Sequence, residues 1–180
     1  DGGFCLYDHF GSIESSNLLE KIRFLITSEN CDFIIFDHVS IAVSGLDESS
    51  MNERKAIDML MTQLRSLVEE TGAGIVVVSH LRKGDTKSTP FEQGGTISLD
   101  DLRGSGSLKQ LPDTVLALER NQQADEEDSR NVLKIRVLKC RFTGNTGLAG
   151  YLKFNKTKNV LEDVDLLEIK TEGEDDKCQF

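Results

Sequence analysis

The chain alternates short, wholly apolar runs with longer stretches in which apolar residues recur every three or four positions. Phe4–Tyr7 is a short apolar run that predicts a strand. Ser15-Ser16-Asn17 offers a helix N-cap, and Leu18, Leu19, Ile22, Leu25 and Ile26 follow at helical spacing. Phe33–Phe36 is apolar throughout and closes on Asp37, the form of a strand covered on both faces in a parallel sheet. A polar loop, Ser44–Asn52, precedes an amphipathic helix marked by Ile57, Leu60, Met61, Leu64, Leu67 and Val68, with Gly72 as its C-cap. Ile75–Val78 predicts a second buried strand, stopping at Ser79-His80. Leu81–Gly95 is basic, then polar and Gly-rich, without periodicity, and reads as a mobile loop. Leu99–Leu111 reads as a short helix broken by Gly104 and Gly106, and Val115–Leu118 as a strand ending at Glu119-Arg120.

After the polar turn Asn121–Ser129 the period changes. Val132–Val137 alternates apolar with basic residues, and Gly150–Phe154 and Val160-Leu161 follow, the pattern of hairpins at a sheet edge turning at Gly144–Gly147. The whole predicts an α/β fold: a mostly parallel sheet flanked by helices, with a C-terminal antiparallel β extension. In such sheets ligands sit beyond the carboxyl ends of the strands. Three apolar runs there end on Asp37, His80 and Arg120, so one sheet edge is expected to gather polar chemistry.

Composition changes this picture in two ways. The 180 residues fit one domain plus a tail, drawn here as a core over 1–161 and an acidic, disordered tail over 162–180. The tail holds eight acidic side chains against two lysines, so it carries −6 of the net charge of −10. The remaining body is near neutral, which excludes a protein that coats DNA wholesale and confines any DNA contact to a local basic patch. The cysteines, Cys5, Cys31, Cys140 and Cys178, show no CxxC spacing and read as free thiols in a reducing compartment. There is no apolar run of membrane-spanning length and no signal peptide pattern. The chain begins without Met, close to a structured pattern, and is expected to start at a fragment boundary.

Four stretches carry candidate chemistry. Phe33–Asp37 has the form of a Walker B strand, whose carboxylate can hold Mg²⁺ beside nucleotide phosphates. Read alone, it fits a strand-capping Asp in any α/β domain better. His80 stands where a side chain could touch a γ-phosphate, although a lone strand-end histidine is more often structural. In Asp101–Gln110, Gly104-Ser105-Gly106 allows close backbone approach to phosphate, with Arg103 and Lys109 alongside. Lys139 and Arg141 lie two apart and share a face if the strand runs through them, so the pair wants an anion. Charge pattern alone favours a solvated edge strand protected by its cations. No GxxxxGK[ST] occurs in the 180 residues.

Taken in order, FIIFDHVSI, VVVSHL, DLRGSGSLKQLPDTVLALERNQQ and LKCRFTGNTGLAGY resemble the helicase half of the primase-helicases of short-tailed phages. More widely they resemble the DnaB-like hexameric helicases and the mitochondrial Twinkle helicase, over about Phe4 to Leu161. The resemblance implies a RecA-like core in a replicative DNA helicase: a hexameric ring that hydrolyses ATP or dTTP with Mg²⁺, moves along single-stranded DNA and unwinds the duplex. It implies Asp37 as the Mg²⁺ carboxylate, His80 as γ-phosphate sensor and Gln110 as the link between nucleotide and DNA loops. Arg120 and Phe154 would sandwich the base, and Arg141 would be an arginine finger acting on the neighbouring subunit, with Lys139 beside it. The DNA loops would be Arg82, Lys83 and Lys87, then Arg103, Gly104, Ser105 and Lys109. The tail ending in Phe180 would bind the replicative polymerase and compete with DNA for the single-strand-binding protein, in the cytoplasm of an infected bacterium and away from membranes. The Walker A lysine and the water-activating glutamate are missing, so this segment alone is expected to be inactive. Two other classes stay open: a RecA-like recombinase or ATPase, and a non-hydrolysing subunit that lends only Arg141 and DNA contacts.

Overall fold

The computed structural model describes residues 3–7, 15–40, 53–82, 89–103 and 106–165. The chain divides into two compact units, one made of Asp1–Arg82 and Leu102–Pro112, the other of Lys83–Asp101 and Asp113–Phe180.

The first unit contains α1 (Ser15–Thr27), β1 (Phe33–Phe36), α2 (Glu53–Thr71), β2 (Gly74–Val77) and the single-turn α3 (Ser107–Gln110). Its helices form where apolar residues keep to one stripe. Leu18, Ile22 and Ile26 are buried on α1, and Ala56, Ile57, Leu60, Met61, Leu64 and Leu67 on α2. These two stripes make one core with Ile34, Val39 and Leu108. α2 stops at Gly72, whose amide donates to the Val68 carbonyl at 2.8 Å while its φ of +74° suits glycine. α1 begins at Ser15 as expected, but the side chains of its first three residues lie outside the described residues, as does the polar loop Ser44–Asn52.

β1 and β2 pair in parallel, from Phe33 beside Gly74 to Phe36 beside Val77. α2 runs between them in sequence, so this is a strand–helix–strand unit. Two expectations fail here. The strands are not covered on both faces: Ile34 is buried, but Phe33, Ile35 and Val76 are 73%, 72% and 53% exposed. Side chains alternate across a strand, and the described helices shield one face only. Phe4–Tyr7 is not a strand; among the described residues no strand pairs with it, and Phe4 and Leu6 are exposed.

The second unit is an antiparallel sheet in the order β3-β4-β5-β6: β3 (Thr114–Glu119), β4 (Val132–Cys140), β5 (Gly147–Asn155) and β6 (Val160–Val164). A single helical turn, α4 (Glu127–Arg130), links β3 to β4. β3 therefore joins β4 rather than the parallel pair expected for Val115–Leu118. Its apolar look hides a period of two: Val115, Ala117 and Glu119 are buried, while Thr114, Leu116 and Leu118 are exposed. As a result β4 is an inner strand and not a sheet edge. β6 reaches Val164, three residues beyond Leu161; residues 166–180 lie outside the described residues.

The stretch expected to be a mobile loop is partly ordered. Gly95 and Gln93 donate to the Pro90 carbonyl, and Gln93 bridges to Asn121. A Cβ on Gly95 would fall 2.2 Å from the Thr89 carbonyl oxygen, so the turn admits only glycine there. The fold class stands as α/β with a parallel pair and a C-terminal antiparallel sheet. Among the described residues no helix is long and apolar enough to cross a membrane. Ile57, wholly buried, should cost roughly 2–5 kcal/mol when replaced by Ala. Phe33→Ala on the open face should cost under about 1 kcal/mol; urea unfolding midpoints of the two variants check the contrast.

Candidate functional site

In the first unit, parallel pairing carries the ends of β1 and β2 to one place. Backbone bonds continue past the strands: the Val78 amide donates to Phe36 at 2.9 Å and the Val39 amide to Val78 at 3.0 Å. Asp37 follows β1 directly and is exposed. Its neighbour His38 meets His80 edge-on, with ring centroids 4.1 Å apart. Asp37 and His80 thus sit at one sheet end, as the alternation predicts, whereas Arg120, expected at the same edge, follows β3 of the separate antiparallel sheet. Among the described residues, His38 Nδ1 and Ser40 Oγ are buried there without a hydrogen-bond partner, so polar capacity is held at this corner.

The corner is also tied to the next candidate segment. Arg103 donates its amide to the His80 carbonyl at 3.0 Å, and Leu81 bridges to Leu102. The Arg103 guanidinium lies 3.7 Å from the Glu53 carboxylate, an exposed and weak pairing. α3 follows, anchored by buried Leu108, with Lys109 partly buried and Gln110 exposed. Arg82 is exposed just after Leu81. Lys83, Lys87, Gly104, Ser105 and Phe180 lie outside the described residues.

The second unit holds the other candidates. Arg120 donates through Nε to the Arg130 carbonyl, and Phe154 donates its amide to the Asn131 carbonyl at 3.0 Å. Both therefore reach one two-residue corner between α4 and β4. Lys139 and Arg141 stand at the far end of β4. A bulge leaves Leu138 without a partner on β3, so that Val115 faces Lys139 while Leu116 faces Val137. Cross-strand partners share a face. The bulge thereby puts Lys139 on the same face as Arg136 and Lys134, which oppose Ala117 and Glu119. That face of β3 carries an acid near each end. Glu119 is buried and accepts from Arg136 Nε at 2.7 Å, Arg136 Nη2 at 3.3 Å and the Ile97 amide at 2.9 Å. Asp113, just before β3, lies 2.9 Å from Arg141 Nη1.

Sequence reasoning missed Asp113, Glu119 and His38. The demand for an anion beside Lys139 and Arg141 was visible, but its source was looked for in a ligand rather than on the preceding strand. The spacing Asp113, Val115, Ala117, Glu119 is the signal that could have found both acids. His38 follows Asp37 directly. Among the described residues, no group of three or more His, Cys, Asp or Glu is placed to hold a metal ion.

Comparison with known proteins gives consistent relatives. The family described as DnaB-like helicase C terminal domain matches residues 5–163. A DNA helicase/primase of Enterobacteria phage T3 is 48% identical over 162 residues, which are 90% of this chain and 28% of that protein. The replicative DNA helicase DnaC of Bacillus subtilis is 26% identical over 85% of this chain and 33% of its own length. The chain thus spans about a third or less of these relatives. Among solved structures, a DnaB-like replicative helicase, studied with its interactions with primase, aligns at a TM-score of 0.67 and 20% identity, over 88% of this chain and 36% of that one. A KaiC-like protein of Pyrococcus horikoshii aligns at 0.55 and 15% identity, over 84% of this chain and 57% of its own. These likenesses give the fold as RecA-like.

Glu119 supplies a pH prediction. Burial would raise its carboxyl, but the bonds from Arg136 and the Ile97 amide outweigh burial and hold it below its ordinary value. A lowered folded value means that the stabilisation is complete above the unfolded value, about 4.3, and fades as pH falls through the folded one. Glu119→Gln should cost about 3 kcal/mol at neutral pH, since it leaves Arg136 facing a neutral group, and should flatten the acid limb of stability against pH. Unchanged acid limbs in urea titrations of the two proteins would refute the assignment.

Proposed function

Because the chain belongs to the DnaB-like helicase C-terminal domain family, we propose that it is part of a replicative DNA helicase that hydrolyses nucleoside triphosphate, ATP or dTTP, to move along single-stranded DNA as a hexameric ring. The observation that best supports this reading is the direct bond from the Arg103 amide to the His80 carbonyl. It joins a strand end suited to sensing phosphate to a segment suited to gripping DNA.

In this reading Asp37, His80 and Gln110 serve the nucleotide of their own subunit. Arg120 and Phe154 flank the base, which an arginine and an aromatic ring hold by stacking. Arg141, with Lys139, completes the neighbouring subunit's site. A residue supplied in trans requires head-to-tail interfaces, which close into rings. Asp37 offers one exposed carboxylate. That donor set suits Mg²⁺, which is commonly bound by one or two carboxylates, water and phosphate oxygens rather than by a protein cage. When bound, the cation would neutralise phosphate charge. Loss of the γ-phosphate would release His80 and Arg141, and movement of the His80 backbone would draw Arg103 with it. Arg82, Lys83, Lys87, Arg103, Gly104, Ser105 and Lys109 would grip the DNA backbone without reading sequence. The acidic tail ending in Phe180 would bind the replicative polymerase and single-strand-binding protein, in the cytoplasm of an infected bacterium. The 180 residues contain no GxxxxGK[ST], so hydrolysis is assigned to a longer polypeptide that carries this segment.

Two experiments on such a polypeptide test the reading. Arg141→Ala should lower DNA-stimulated hydrolysis about 10³-fold or more while sparing nucleotide binding; normal turnover would reject the finger. Arg82→Ala should weaken binding alike for all sequences and reduce the slope of log affinity against log salt by about 0.7, the value for one phosphate contact on a single strand. An unchanged slope would remove Arg82 from the DNA path.

A further inference from the structure

Arg141 is held at two points by one residue. Its amide donates to the Asp113 carbonyl at 2.8 Å, and its Nη1 lies 2.9 Å from the Asp113 carboxylate. The first contact fixes the root of the side chain and the second fixes its head. Lys139, two residues earlier, lies opposite Val115 near the end of β4 through the bulge at Leu138. Burial and Arg141 both push the Lys139 ammonium down, and Asp113 counters them, so the acid faces both cations.

We propose that Asp113 is the positioning residue for Arg141, holding the guanidinium in the geometry from which it reaches a neighbouring subunit's phosphate. This rests on the reading of Arg141 as a finger. A free arginine side chain loses rotamer freedom on docking, and a hold made before the nucleotide arrives removes part of that loss from the reaction. The pair is partly exposed and adds little to stability, so its effect is on geometry. The competing account is that Asp113 only stabilises the sheet, and it predicts different measurements.

The test uses a full-length polypeptide carrying this segment, assembled as purified. Asp113→Asn keeps the shape and removes the charge. Its DNA-stimulated kcat should fall about 10-fold or more, with KM and nucleoside diphosphate affinity within about twofold of the original. The tighter binding of nucleoside diphosphate that aluminium fluoride confers, as a mimic of the transferring phosphoryl group, should be lost. Asp113→Glu, which restores the charge on a longer arm, should recover several-fold of the lost turnover. A wild-type kcat in the Asn variant overturns the proposal, as do equal losses in the Asn and Glu variants. So does a fall in diphosphate affinity and melting temperature that matches the fall in kcat. Arg141→Ala run in parallel separates the two readings. Normal turnover there sinks the finger itself, whereas a dead Arg141→Ala beside a wild-type Asp113→Asn sinks only the present inference.

Discussion

The second unit turns on one buried carboxylate. A charge removed from water is costly unless every lone pair finds a partner. Glu119 meets that condition with bonds from two segments, the Ile97 amide from the stretch before β3 and the Arg136 fork from β4. Those bonds tie the ordered stretch at residues 89–101 to the sheet. They also fix the β3–β4 register by charge. A slip of one residue would turn Arg136 to the other face and leave Glu119 buried and unpaired. The bulge at Leu138 then becomes intelligible. It keeps the cations of β4 in step with the acids of β3 over the full strand, so that Glu119 meets Arg136 at one end and Asp113 meets Arg141 at the other.

In the first unit the decisive link is main chain to main chain. His80 gives its carbonyl to Arg103 and its ring to His38. A side chain that senses phosphate can rotate without consequence elsewhere. A backbone carbonyl that moves must either carry its partner amide or give that bond up. The Arg103–Glu53 pairing, exposed and 3.7 Å long, is too weak to resist such a shift. Under the proposed function, coupling between a nucleotide corner at His80 and a DNA-facing segment at Arg103 needs no long pathway, because the two residues share a single bond.

The sequence reveals most where periodicity and burial agree. α1 and α2 follow their stripes, Gly72 ends α2 with positive φ, and Asp37 and His80 meet at one sheet end because two parallel strands must finish together. The errors share a cause. Phe33–Phe36 and Thr114–Glu119 both carry apolar residues on a face that the described residues leave open, so continuous apolarity overstated burial and hid the period of two in β3. The loop at 89–95 looked mobile because its glycines were read as freedom. Gly95 is instead required by the 2.2 Å approach of a backbone oxygen. Asp113 and Glu119 stayed invisible because their roles come from cross-strand register and a bulge, neither of which leaves a local mark in composition.

Charge accounts for the division of labour between the two units. The body is near neutral, and in the second unit several cations are matched by acids. Arg136 pairs with Glu119, Arg141 with Asp113, Lys153 with Asp128, Lys156 with Glu127 and Lys158 with Glu162. Arg136, one of the alternating basic residues of β4 that suggest a sheet edge, serves an inner strand by pairing with Glu119 of its neighbour. The described DNA candidates, Arg82, Arg103 and Lys109, all belong to the other unit, around the strand ends of β1 and β2. A chain of net charge −10 can still grip a polyanion if its cations are segregated in this way. Where acid and base are interleaved the field cancels within a Debye length of about 8 Å, and where a few cations share one corner it does not.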